Sequence, residues 1–232
     1  MSLPGVYNIF NERWCKQTVW LYSDPHFNDE DLATGVAKRP SDAEQIARIN
    51  ACVGKKDTLI CLGDVGDIEY VRQLKGYKIL IMGNHDAGRT NYERKIIKEI
   101  FDYEEYTQEE VKAKMRAKYP DCKSYIIEGL AGWIVTVDNG LFDEVYEGPL
   151  MIGEKLILSH EPLNTPWAFN IHGHDHVGQN RKGHLNVCSD VINYTPINFN
   201  QFLKTGPLAR IDSIHRSTID GATERKKKRN KR

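Results

Sequence analysis

Residues of the types that bind divalent metals follow five short apolar runs of this chain. In order along the sequence, the segments after those runs are Asp24-Pro25-His26, Gly63-Asp64, Gly83-Asn84-His85-Asp86, His160 and Gly173-His174-Asp175-His176. In open α/β sheets, ligands bind at the carboxyl ends of the strands. If the apolar runs are strands, we expect the five segments to meet at one edge of a sheet.

The types of these residues indicate the class of metal. The set combines carboxylate, amide and imidazole donors without a thiolate, which suits Mn²⁺, Fe²⁺, Zn²⁺ or Co²⁺. Two Asp, one Asn and four His are more ligands than one ion takes, so we expect two ions that share a bridging carboxylate. Two ions about 3.5–4 Å apart can stabilise both the attacking and the leaving oxygen of an in-line displacement at phosphorus. Two ions of this kind would suit a reaction at the phosphorus of a phosphate ester.

The motifs D-P-H, G-D, G-N-H-D, a lone His and G-H-D-H, in that order, resemble the five signature motifs of the calcineurin-like metallophosphoesterases. The resemblance spans the chain from Thr18 to Pro196. The stretches HEPL and NIHGHDH are similar to the small bacterial and phage branch of that family. The resemblance implies an α/β fold of the metallo-dependent phosphatase type. This is a four-layer α/β/β/α sandwich of two mixed sheets with a dinuclear site at one edge.

The resemblance also implies a role for each motif residue. The first metal ion is expected on Asp24, His26 and His176. The second is expected on Asn84, His160 and His174, with Asp64 bridging the two ions. His85 is expected to act on the substrate as a general acid or as electrostatic support, with Asp86 orienting its imidazole. Mn²⁺ is the expected metal, with Fe²⁺, Zn²⁺, Co²⁺, Ni²⁺ and Mg²⁺ as alternatives, and a hydroxide held by the ions is the expected nucleophile.

Spacing alone leaves the choice among three histidines open. His172, His174 and His176 have the same parity and would face one side of an extended strand. The resemblance, and not the spacing, selects His174 and His176 as ligands. For His172, both a role in lining the pocket and a plain structural role stay open.

The substrate is less closely defined than the reaction. Protein Ser/Thr phosphatases resemble the patterns G-D-x-V-D-R-G and R-G-N-H-E, and this chain has neither arginine of those patterns. We expect a phosphodiesterase for nucleotides or nucleic-acid ends, with a phosphomonoesterase for small molecules as the alternative. A monoester dianion would favour a nearby cation, for which Arg39 and Arg89 are candidates. A metal-free binding scaffold is a third reading, disfavoured because every ligand position and His85 are filled.

The secondary-structure pattern alternates strands and helices, which favours an α/β arrangement. Strands are predicted at 18–23, 57–62, 78–82, 133–137, 155–159, 168–172 and 185–188. Helices are predicted after the caps Ser41 and Asp67 and at 90–100 and 108–118. We expect one domain over residues 1–221, with residues 102–132 as an insertion or cap near the site. Residues 222–232 are expected to be a basic, disordered tail.

Composition limits the compartment and the partners. The formal net charge is zero, but the last nine residues carry seven Lys or Arg and one Glu, so the remainder is acidic. An acidic body does not favour a broad nucleic-acid surface, although nucleic-acid ends stay among the candidate substrates. Five widely spaced cysteines without a C-x-x-C pair argue against disulfides and thiolate zinc, and we expect the reducing cytoplasm. With no apolar run of about 20 residues, no membrane association is expected. The oligomeric state stays open.

Overall fold

The structure, a computed structural model, describes residues 2–30, 39–87, 91–120, 122–178, 181–212 and 214–229. Its strands are β1 (Val19–Tyr22), β2 (Thr58–Cys61), β3 (Tyr77–Ile81), β4 (Ile96–Phe101), β5 (Lys123–Glu128), β6 (Trp133–Asp138), β7 (Glu144–Tyr146), β8 (Leu150–Gly153), β9 (Leu156–Leu158), β10 (Phe169–His172), β11 (His184–Asn186) and β12 (Ile197–Asn198). Its helices are α1 (Asn8–Trp14), α2 (Asp42–Cys52), α3 (Ile68–Val71), α4 (Gln108–Lys118), α5 (Phe199–Lys204) and α6 (Ile214–Arg229), with a 3₁₀ turn at Pro207–Arg210.

Two mixed sheets form the body of the protein. The first has the order β12-β1-β2-β3-β7, in which only the β12–β1 pair is antiparallel. The second has the order β11-β10-β9-β8, in which only the β8–β9 pair is antiparallel. The α/β sandwich of two mixed sheets expected from the resemblance is confirmed.

The core of this sandwich follows from the alternation of side chains along the strands. Leu21 on β1 and Ile171 on β10 lie in one buried apolar cluster, which joins the facing sides of the two sheets. Tyr22, the neighbour of Leu21, points to the other face and packs in a second cluster with Ile46 and Ile49 of α2. Each fully buried aliphatic side chain contributes about 1.5–3 kcal/mol, so the facing sheets hold the site edge rigidly.

Both predicted helix caps are confirmed. Ser41 accepts a hydrogen bond from the backbone N–H of Glu44 at the start of α2. Asp67 accepts one from the N–H of Glu69 at the start of α3, which gives this carboxylate a capping role. The two helices connect β1 to β2 and β2 to β3, which are parallel neighbours, so their caps fix the entries into two crossover connections.

A third sheet, with the order β4-β6-β5, forms a separate unit. Its own apolar cluster contains Phe101, Val135 and the α4 residues Val111 and Met115. The predicted helix over 90–100 is wrong, because β4 lies there and pairs with β6 along its whole length. Its Lys and Glu residues favour a helix, but the strand buries Phe101 against α4, and this packing overrides the local propensity. The unit therefore extends beyond the predicted 102–132 to include β4 and β6.

Among the described residues, two sets of contacts that join this unit to the body lie away from the metal-ligand segments. Arg94 bonds both Asp138, at the end of β6, and Asp143, which pairs with the beginning of β3. Lys78 of β3 donates to the carbonyls of Val71 and Gly140. The junction is thus at the amino end of β3, whereas the metal-ligand residues follow its carboxyl end. These contacts do not place the insertion beside the site.

The basic segment at the end of the chain forms part of α6, and this corrects the expected disorder for residues 222–229. Ala, Lys, Arg and Glu are strong helix formers, which accounts for the difference. Among the described residues, no helix is long and apolar enough to cross a membrane. The five cysteines all lie within the described ranges, and each is a free thiol, as the sequence predicts.

Candidate metal centre

Five strands deliver the metal-ligand segments to one edge of the sandwich. β1, β2 and β3 are parallel neighbours, and so are β9 and β10, so their carboxyl ends point the same way. The backbone then turns sharply, with left-handed φ values of 55° at Asp24, 43° at His26, 51° at Asp64 and 66° at His174. Such conformations cost about 1–3 kcal/mol each at non-glycine residues and concentrate at functional sites. Here they turn four ligand-type side chains toward one another.

One group of metal-ligand candidates lies around Asn84. Its Oδ1 is 2.9 Å from His160 Nε2 and 3.1 Å from His174 Nδ1, and the two imidazole nitrogens are 3.1 Å apart. Asp64 Oδ2 is 3.2 Å from His160 Nε2. The structure therefore brings together the four residues expected around the second ion.

A second group lies around Asp24, which is fully buried. Its Oδ1 is 3.8 Å from His176 Nε2, and the rings of His26 and His176 have centroids 5.3 Å apart. Both oxygens of Asp24 also accept the backbone N–H of His174, at 3.1 and 2.9 Å. The three residues expected around the first ion therefore lie together as well.

Asp64 lies between the two groups. Its Oδ2 is 3.6 Å from His26 Nε2, on one side, and 3.2 Å from His160 Nε2, on the other. Its Oδ1 accepts the backbone N–H of His85 at 2.9 Å, which fixes the carboxylate in this position. One carboxylate oxygen thus faces an imidazole nitrogen of each group, as the oxygen of a bridging ligand would.

Three of the imidazoles are held by an acceptor at Nδ1. The acceptors are Asp29 for His26 (3.2 Å), the Leu62 carbonyl for His160 (2.7 Å) and Asp190 for His176 (2.5 Å). Carbonyls and carboxylates only accept, so a hydrogen on each Nδ1 suits these neighbours and leaves each Nε2 to bind a cation, either a proton or a metal ion. This arrangement is typical of metal-binding histidines, whose ring orientation is set by a second hydrogen bond.

These Nε2 atoms face carboxylate or amide oxygens, so the residues fit a cation between them. His26 Nε2 is buried and has no hydrogen-bond partner among the residues that the structure describes. Burial alone would lower the pKa of His160, but the hydrogen bond to Asp64 and the charge of Asp24 raise this pKa to about 8. Burial would raise the pKa of Asp64, yet the bond to His160 keeps it below its usual value. The cluster favours positive charge at its centre, which divalent ions would supply.

Two glycines allow the backbone to approach the carboxylates. A Cβ at Gly83 would lie 2.3 Å from Asp64 Oδ1, and a Cβ at Gly173 would lie 2.2 Å from Asp24 Oδ2. Both distances are well inside contact distance, so any side chain would displace the carboxylates. The motifs G-N-H-D and G-H-D-H therefore need their first residue to be glycine.

His85 and Asp86 are adjacent in sequence but lie in different environments. His85 is exposed, and its ring centroid is 5.4 Å from that of His26, so it borders the cluster from the solvent side. Asp86 is fully buried and accepts the N–H groups of Gly83, Asp64 and Val65 and the hydroxyl of Tyr92. Its carboxylate thus holds the backbone of two ligand loops. This position corrects the expectation that Asp86 orients the imidazole of His85.

Other polar residues at this edge were not predicted as site residues. Asp29 and Asp190 hold imidazoles, as described above, and neither belongs to a recognised motif. Arg39 is bound to Asp190 and to backbone carbonyls, with only 3% of its side chain exposed, so it is not free to hold a phosphate. Arg89 lies outside the described residues. His172 is buried, bonds the Gly173 carbonyl and packs its ring against His184, which places it behind the cluster.

Comparison with known proteins agrees with the residues gathered here. A sequence model of the calcineurin-like phosphoesterases matches residues 17–182, which contain all seven metal-ligand candidates. A search of curated proteins gives no significant match. A crystal structure of a protein of unknown function from Aquifex aeolicus is similar, with 21% identity and a TM-score of 0.48, over 81% of this chain and 98% of that chain. Because the family match covers well over half of its length, the chain belongs to the calcineurin-like phosphoesterase family.

Proposed function

We propose that the protein is a dinuclear-metal phosphodiesterase that hydrolyses nucleotides or nucleic-acid ends. The observation that carries the proposal is the position of Asp64 Oδ2 between His26 Nε2 and His160 Nε2, at 3.6 and 3.2 Å. Membership of the family supports metal-dependent hydrolysis of phosphate esters in general. The two-ion arrangement, the diester preference and the substrate class are our own inference.

Each residue of the cluster has a proposed task. Asp24, His26 and His176 would hold one ion, and Asn84, His160 and His174 the other, with Asp64 as bridge. When bound, the divalent ions, of which Mn²⁺ is the first candidate, supply positive charge at the phosphoryl oxygens and lower the pKa of a metal-bound water to near neutrality. Exposed His85 would donate a proton to the leaving oxygen or stabilise the phosphoryl group. Asp86 would keep the ligand loops in place.

A cavity beside the group around Asn84 supports a diester substrate. It has a volume of about 240 Å³ and adjoins Asn84 and His160. Met82, Pro149 and Leu163 give it apolar walls, and Glu147 and Glu161 lie at its rim. None of the described residues that line it is Lys or Arg. Such a cavity would take the uncharged ester group of a diester more readily than the additional anionic oxygen of a monoester dianion.

Hydrolysis of two model esters tests the proposal. Metal-stripped protein would be given Mn²⁺ and either bis-p-nitrophenyl phosphate or p-nitrophenyl phosphate. We expect turnover that requires Mn²⁺ and is faster on the diester. Faster turnover of the monoester would replace the proposal with a phosphomonoesterase. No turnover with two ions bound would contradict the enzymatic function and favour a binding role.

A further inference from the structure

A buried carboxylate outside the recognised motifs holds one of the metal-ligand candidates. Asp190 Oδ2 accepts the Nδ1–H of His176 at 2.5 Å. The same carboxylate receives Arg39 at 3.0 and 3.2 Å and the hydroxyl of Tyr194. Only 7% of the Asp190 side chain is exposed. Two donor groups, the Arg39 guanidinium and the Tyr194 hydroxyl, therefore fix this carboxylate before it meets the imidazole.

The second member of this arrangement is Arg39, whose guanidinium reaches the loop that follows β1. It donates to the backbone carbonyls of Asp24, at 3.3 Å, and Pro25. The loop has left-handed backbone at Asp24 and His26, a conformation that must be stabilised by its surroundings. Ser189, the neighbour of Asp190, donates its hydroxyl to the same Asp24 carbonyl at 2.7 Å. The Arg39–Asp190 ion pair thus connects the loop that carries Asp24 and His26 to the imidazole of His176.

We propose that the Arg39–Asp190 ion pair positions Asp24, His26 and His176 and thereby sets the affinity of the first metal ion. The inference rests on the proposed two-ion function. The described contacts of the pair are with this group, with the Pro25 carbonyl in its loop, or with Tyr194, and none is with the side chains of Asn84, His160 or His174. Asp24 accepts the backbone N–H of His174, which is the one link to the second ion. The pair therefore acts mainly on the first ion.

Two alternatives for Asp190 are less favourable. His176, Cys188 and Asp190 lie close enough together to suggest a metal group of their own. However, Asp190 already accepts three donors, and burial raises the pKa of the Cys188 thiol, which disfavours the thiolate that would bind a metal. A purely structural ion pair is the second alternative, and it predicts lower stability without a selective effect on one metal ion.

Metal binding by single and double variants distinguishes these possibilities. Mn²⁺ binding to metal-stripped protein would be followed by calorimetry and by electron paramagnetic resonance, without any substrate. For Asp190→Asn we expect a loss of affinity of about 10–100-fold for one ion and a change of less than about threefold for the other. His176→Ala should weaken the same ion. In the double variant, Asp190→Asn should cause a smaller further loss than it does alone, because the part of its effect that acts through His176 is already gone.

A matched control separates positioning from general destabilisation. Asp143 is also a mostly buried carboxylate that pairs with an arginine, Arg94, but at the amino end of β3. Asp143→Asn should lower the stability and keep the affinity for both ions. If Asp190→Asn does not fold, Asp190→Glu keeps the charge opposite Arg39 while moving the carboxylate by one methylene, and it should show the same selective loss.

The outcomes are distinct. Unchanged affinity for both ions in a folded Asp190 variant, or fully additive losses in the double variant, would overturn the positioning role. Wild-type protein that binds two ions but hydrolyses no phosphoester would refute the proposed function and leave this inference intact. Wild-type protein that binds no Mn²⁺ would refute both.

Discussion

Asp86→Asn is the substitution that most directly separates the role of Asp86 in holding the backbone from a role in orienting His85. Asp86 Oδ2 accepts the N–H groups of Gly83 (2.9 Å) and Asp64 (2.8 Å), and Oδ1 accepts Val65 N–H (3.1 Å) and the Tyr92 hydroxyl (3.0 Å). Asparagine has one acceptor oxygen in place of two. Its amide group must therefore face two of these four donors.

The least costly orientation keeps the oxygen toward Gly83 and Asp64. The amide nitrogen then faces Tyr92, whose hydroxyl can rotate and accept, and it also faces Val65 N–H, which cannot. The variant loses one hydrogen bond to a charged acceptor, worth about 1.5–3 kcal/mol, and leaves a buried N–H unsatisfied, which costs about 1–3 kcal/mol. We expect the free energy of unfolding to fall by about 3–5 kcal/mol.

Urea unfolding of the metal-free protein measures this difference, with Tyr92→Phe as the matched control. The control removes one donor and leaves the carboxylate and its three N–H partners in place, so its loss should be about 1–2 kcal/mol. Asp86→Asn should also weaken Mn²⁺ binding, because Gly83 and Asp64 lose their common anchor. A variant with a loss under about 1 kcal/mol, both ions bound normally and only turnover reduced would refute this reasoning. That result would restore the role of Asp86 in orienting His85.

Three further predictions concern the metal bridge, the proton donor and a buried lysine. Asp64→Asn should reduce turnover by several orders of magnitude and release metal. A variant that still contains two ions by metal analysis and keeps near-full activity would contradict the bridging role of Asp64. His85→Ala should keep both ions and reduce the rate of hydrolysis by about 10²–10⁴-fold, with the smallest loss for esters that have good leaving groups. If titration with Mn²⁺ shows that the variant binds one ion fewer, His85 is a metal ligand. Burial lowers the pKa of Lys78 from its ordinary value of 10.5 to about 8 in the folded protein. Between these two pH values the unfolded state binds more protons than the folded state. The free energy of unfolding should therefore rise with pH across this window, by about 2–3 kcal/mol. In urea unfolding at pH 7.5 and 10, Lys78→Met should lack this rise, and an equal rise in both proteins would exclude Lys78 as its source.

The elements that could be predicted from sequence are those whose signals are local. The seven predicted strands are all present, because each is a short apolar run that ends at a turn. The segments after five of them meet at one edge because parallel strands align their carboxyl ends. Asp67 could be predicted as a cap because the cap and the helix it begins are adjacent in sequence.

Features that depend on the backbone or on distant contacts could not be predicted. Strand parity could not separate His172 from His174, because the strand ends at His172 and His174 has left-handed backbone. β4 has a helical composition, and only its pairing with β6 makes it a strand. Asp190 lies 14 residues from His176 in sequence and 151 from Arg39, so no local pattern connects it with the site. The one signal available was an acidic residue close to the last motif.

The central claim is that two ions act together at the cluster around Asp64. The most direct test is the rate of bis-p-nitrophenyl phosphate hydrolysis as Mn²⁺ is added to metal-stripped protein, measured against the number of ions bound per chain. We predict little turnover up to one bound ion per chain and a rise to full activity as the second ion binds. Full activity with a single bound ion, or none with two, would contradict the claim.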